Sequence, residues 1–205
     1  MIKSYVFAVL LGVMALTSGC ASFQNMETAR FAEQPPIAVS AAKPAAFVET
    51  RFFMGEPDKA VVEWLHMKEK LHALTTSAIE ESGLLSELSM NEEEKGNFSN
   101  RIRVDVYNHG DQGAAAVFGF ISGLTLGVIP AAATDNYTVK VVLLDREGKE
   151  LKSSTSKDSV TTWIGLIFIP MAGNTPEIAV TETIKNQIKL GFRDLVDGGT
   201  LIAAK

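Results

Sequence analysis

The chain has 205 residues, 46% of them hydrophobic, with 19 basic and 24 acidic side chains and a formal charge of −5. That balance argues against a protein that tracks a nucleic-acid backbone, which needs a basic face, and the apolar share suffices for one packed core. A single cysteine, Cys20, excludes an intrachain disulfide framework.

The first element in chain order is a leader. Lys3 supplies a short positive region, and Tyr5 to Leu16 is an uninterrupted apolar run followed by the small residues Thr17, Ser18 and Gly19. The run is shorter than the roughly 20 residues a membrane span requires, so residues 1–19 read as a secretory signal peptide whose removal leaves Cys20 as the amino terminus. The stretch "LTSGC", residues 16–20, resembles the lipobox of bacterial lipoproteins. It departs from the family at Thr17, where leucine is preferred; here the leucine is Leu16. The resemblance implies lipidation of Cys20, with a diacylglycerol on its sulfur and a further acyl chain on its amine. Each buried methylene contributes about 0.8 kcal/mol, and more than one chain makes attachment stable. Ala21, rather than aspartate, follows the cysteine; by resemblance to the sorting rule of enteric lipoproteins, this implies the outer membrane and a periplasm-facing body.

Residues 20–46 show no sustained period and contain Pro35, Pro36 and Pro44. They read as the lipidated cysteine and a flexible tether, with an r.m.s. span of roughly 25–30 Å. Residues 47–205 then form a single body. "AFVETRFFM", residues 46–54, is a strand ending at Gly55, and a helix is expected from Pro57, with Glu56 and Asp58 at its positive end. Its stripe is Trp64, Met67, Leu71, Leu74 and Ala78, and Gly83 ends it. Residues 90–100 are a charged connection. "RIRVDVY", residues 101–107, alternates, with Ile102, Val104 and Val106 inward and Arg101, Arg103 and Asp105 outward. Tyr137 to Leu144 and Glu150 to Thr161 form a hairpin around Gly148. The last helix has Thr175 as N-cap, Pro176 in its first turn, a stripe of Ile184, Ile188, Gly191 and Leu195, and an end near Gly198.

The order is β-α-β-β-β-α: an α+β fold with a mixed or antiparallel sheet, two helices on one face and an added glycine-rich apolar segment. In element order, over roughly residues 47–197, this resembles the periplasmic N-terminal domain of TolB and several small outer-membrane auxiliary lipoproteins. That resemblance carries no residue-level motif and implies no site.

Two segments carry no charge: residues 113–134 and 161–173. One precedes the first hairpin strand and the other follows the second, so the hairpin brings them to one end of the body. Phe118, Phe120, Leu124, Leu126, Ile129, Trp163, Leu166 and Phe168 are the candidate interaction surface there. Three readings stand: a membrane span, opposed by Gly113, Gly119, Gly123, Gly127 and Pro130; core beneath the helices; or an exposed surface that touches lipid or an envelope protein.

Catalytic motifs are not found. His66 and His72 lie six apart, on different faces of a helix, and form no metal pair. His109 sits in a polar stretch, "GFISG" is not a nucleophile elbow, and Glu92 to Glu94 lacks the alternation of a calcium loop. No cofactor, metal or catalytic residue is expected. The expected role is a membrane-anchored periplasmic lipoprotein acting as a non-catalytic binding or assembly accessory of the envelope. The alternatives are a structural or stress-related envelope lipoprotein without a specific ligand, and an enzyme whose residues converge only in three dimensions. A cleft lined by Arg101, Arg103, His109 and Asp111 would favour chemistry; a bare apolar ledge would favour interaction.

Overall fold

The computed structural model describes residues 19–37, 43–110, 122, 124–125, 128–171 and 173–201. Seven strands among them form one mixed sheet: β1 (Gly19–Gln24), β2 (Ala45–Met54), β3 (Val62–Glu63), β4 (Glu87–Ser89), β5 (Asn100–Gly110), β6 (Ala131–Leu144) and β7 (Glu150–Gly165). The α-helices are α1 (Lys68–Ser82) and α2 (Pro176–Asp197). Spatial order is β1-β7-β6-β5-β2-β3, with β4 also on β2. The fold is therefore α+β, and the expected β-α-β-β-β-α order is the run β2, α1, β5, β6, β7, α2. The chain groups into two compact units.

The larger unit comprises Met26–His109, Asn136–Asp158 and Thr181–Lys205. Its β2 and β5 run parallel, with Val48 opposite Ile102 and Phe52 opposite Val106; α1 supplies the long crossover such a pair requires. The contact of His109 with Thr138 and of Arg101 with the Arg146 carbonyl sets β6 antiparallel to β5. Since His109 and Thr138 share one face, the pleat places Val106 and Val141 together on the other. That second face is the core: Val48, Ile102, Val104, Val106, Val139 and Val141 are essentially inaccessible, as are Ile188, Phe192 and Leu195 of α2. Burying a side chain of this size stabilises by about 1.5–3 kcal/mol. Gly191 lets α2 approach, for a Cβ there would lie 2.3 Å from Cγ2 of Val141.

Helix α1 starts about eleven residues later than its N-terminal signals suggest. Residues 56–59 close a turn, with the Lys59 amide donating to the Glu56 carbonyl, and β3 then pairs back on Phe53 and Met54. Trp64 and Met67 thus precede the helix. Its buried face is Leu71, Thr75, Ala78 and Ile79, and Gly83, at φ 61°, caps it. The charged connection also has structure: β4 adds to β2, and the Asn91 side chain accepts from the Glu93 amide at the start of a 3-10 turn, Glu92–Asn97.

The smaller unit comprises Met1–Asn25, Gly110–Asp135 and Ser159–Val180. Here the expected tether is corrected over its first residues. Gly19–Gln24 is not irregular chain but strand β1, antiparallel to β7 with Cys20 opposite Ile164 and Gln24 opposite Val160. An edge strand needs only a partner's free amides and carbonyls, so six residues without a long period can still form one. The 3-10 turn Phe31–Glu33, in the larger unit, lies later in the same stretch.

Candidate functional site

The candidate site is the apolar end of the smaller unit. β7 continues beyond the expected Thr161 to Gly165 and passes into a 3-10 turn, Leu166–Met171. The Thr134 and Thr161 hydroxyls hydrogen-bond at 2.9 Å, which sets the beginning of β6 beside the end of β7. β1 then flanks β7 on its other edge.

Polar contacts hold β1 in place. Ser22 and Thr162 share a 2.7 Å hydrogen bond between hydroxyls. The Ser22 amide donates to the carbonyl of Asn174, past the 3-10 turn, and the Asn25 amide donates to the carbonyl of Ser159. Ala21 is fully buried between these contacts. At the start of the strand the backbone passes so close to the 3-10 turn that a Cβ on Gly19 would lie 2.4 Å from the Ile169 nitrogen. Cys20 is half-buried, its sulfur free of any disulfide.

Large apolar side chains of the same unit are uncovered. Ile167 is 73% exposed and Leu124 71%, and Val128, Ile129, Ile164, Ile169 and Met171 are exposed as well. Trp163 is 37% exposed and leans on Phe168, ring centroids 5.6 Å apart. Of the sequence-predicted surface, Leu124, Ile129 and Trp163 are open, and Leu166 and Phe168 are half-buried. Phe118, Phe120 and Leu126 lie outside the described residues, as does nearly all of the stretch for which a membrane span was weighed. Among the described residues no helix is long and apolar enough to cross a membrane. Sequence reading missed Ile164, Ile167, Ile169 and Met171, although the uncharged run that contains them was its signal.

Charge is sparse in this unit. Beyond residue 19 its residues include no lysine or arginine and only three acids, Asp111, Asp135 and Glu177. Burial raises the Asp135 carboxyl above its ordinary range.

In the larger unit, the polar residues singled out for chemistry are engaged in contacts within the sheet. Arg103 donates to Asp105, Arg101 to the Arg146 carbonyl, and His109 meets Thr138; Asp111 lies outside the described residues. Asp105, expected to face solvent, is buried because Arg51 and Arg103 clasp both its oxygens. A separate open cleft of about 500 Å³ lies between α1 and β4, with His72, Thr76, Glu80 and Met90 on its walls. Burial there lowers the His72 pKa, with Lys68 adding to the effect. Among the described residues no group of three or more His, Cys, Asp or Glu could hold a metal ion.

No family model matches the chain, and no curated protein matches it significantly. Among solved structures it is similar to a minor lipoprotein from Acinetobacter baumannii, at 12% identity and a TM-score of 0.41 over 83% of this chain and 99% of that one. It is also similar to the PelC dodecamer from Paraburkholderia phytofirmans, at 11% identity and a TM-score of 0.37 over 87% of this chain and 96% of that one. At such scores nothing about role is carried over from either.

Proposed function

We propose that this protein is an envelope lipoprotein, acylated on Cys20 and held at the periplasmic side of the outer membrane, where it serves as a non-catalytic binding or assembly accessory. One juxtaposition supports the reading: the cysteine that closes a secretory leader stands beside a set of exposed, uncharged side chains on β7 and the turn after it. A cysteine at that position gains lipid chains, and exposed apolar surface of this kind is a contact surface by its chemistry. The polar cluster on β2 and β5 is occupied in ion pairs and offers no free nucleophile with an adjacent base.

The test is Cys20→Ser in the full chain. Incorporation of labelled fatty acid should disappear, the precursor should accumulate uncleaved, and sucrose-gradient fractionation should place only the unaltered protein with outer-membrane markers. Undiminished label in the variant would refute the anchor.

A further inference from the structure

The apolar end and the anchor are neighbours with no spacer between them. A tether of residues 20–46 would hold the body off the bilayer. Instead the residues directly after Cys20 are already in the sheet, Ala21 opposite Trp163 and Ser22 opposite Thr162. Acyl chains on Cys20 therefore emerge at the edge of β7, one strand away from Ile164. The amides of Ser22 and Asn25 are committed to Asn174 and Ser159, so releasing the strand would forfeit those bonds and expose Ala21.

We infer that this end of the smaller unit sits in the lipid interface itself, with Trp163, Ile164, Ile167 and Ile169 among the headgroups and upper acyl chains. This rests on the proposed acylation of Cys20. The chemistry of the surface selects lipid as the occupant. It lacks the basic residues that would seek an acidic partner, and it displays exposed branched aliphatics and, from the other face of β7, a tryptophan, whose amphipathic ring settles at membrane–water interfaces when this end is immersed. Its position decides the rest, because a surface beside the acyl chains meets the bilayer whenever the anchor is inserted.

The protein has two tryptophans, Trp64 and Trp163, so Trp64→Phe leaves Trp163 as the single reporter. The acylated full-length protein carrying that change would be reconstituted into vesicles of phosphatidylethanolamine and phosphatidylglycerol containing lipids brominated near the headgroup. Expected are a blue shift and loss of most Trp163 emission. Ile167→Glu, at a position 73% exposed, should restore much of that emission while thermal unfolding stays unchanged. Intact mass reads acylation independently: an unacylated protein would sink the anchor, whereas an acylated one with unquenched Trp163 overturns the seating alone. Emission that is blue-shifted, unquenched and dependent on protein density would overturn it in favour of a second copy of the chain as the occupant. Collapse of melting in Ile167→Glu would make the residue core and overturn it as well.

Discussion

At the scale of single residues, Asp105 shows how context reverses an alternation pattern. On β5 it falls on the polar face, as its place between Val104 and Val106 indicates, yet it is 1% exposed. Arg51, brought opposite it by the parallel register, donates at 2.7 and 2.9 Å, and Arg103 donates at 3.0 Å. The Arg51 pKa rises accordingly, chiefly through its hydrogen bond to Asp105. That pairing was invisible in the sequence because it joins residues 51 and 105 across a crossover. Asp105→Asn should cost about 1.5–3 kcal/mol, the worth of hydrogen bonds to charged groups, read as a lowered midpoint in urea unfolding. Gly191 is the opposite case, legible as part of an apolar helix stripe. Gly191→Ala forces a methyl into Val141 and should destabilise by about 1–3 kcal/mol, with Val141→Ala in the same chain recovering part of the loss.

At the scale of elements, signals that agree with their packing were readable and those that compete with it were not. β5 was readable because three buried branched residues alternate, and α2 because an N-cap, a proline and a stripe agree; the Ile178 amide does find the Thr175 hydroxyl at 3.3 Å. The start of α1 was misleading, since Pro57 and two acids mimic a helix N-terminus while the segment gains more by pairing β3 with β2. β1 was hidden because its partner is nearly 140 residues away. The α1–α2 contact, equally non-local, sets a pH response. Lys185, Lys189 and Ser77 all donate to Glu81, and the Lys185 bond contributes most to lowering that carboxyl from 4.5 to about 2. A depressed carboxyl stabilises the fold above its unfolded pKa, and that contribution is lost as pH falls from about 4.5 towards 2. Glu81 is nearly half exposed, so solvent screening limits the effect to about 1 kcal/mol or less. Glu81→Gln should lower the melting temperature slightly at neutral pH, by a difference that shrinks as pH falls towards 2, measured by calorimetry across that range.

At the scale of the molecule, the formal charge of −5 and the composition of the smaller unit bear on how a bilayer is met. Removal of the proposed leader would take away Lys3 and leave the chain more acidic still. Anionic headgroups draw in proteins through basic residues, at about 1 kcal/mol each near the surface, and the smaller unit has none beyond residue 19. In the proposed seating, contact with lipid then comes from apolar burial, which does not weaken with salt, while any electrostatic contribution from the acidic chain is repulsive and is screened by salt. Trp163 quenching in the acylated Trp64→Phe protein should accordingly persist at high salt in zwitterionic vesicles. In phosphatidylglycerol-rich vesicles it should be unchanged or somewhat weaker at low salt and recover as salt is raised. Loss of quenching on adding salt would mean that basic residues elsewhere in the chain hold the protein to the bilayer, and that the uncharged side chains around Ile164 are not its seat.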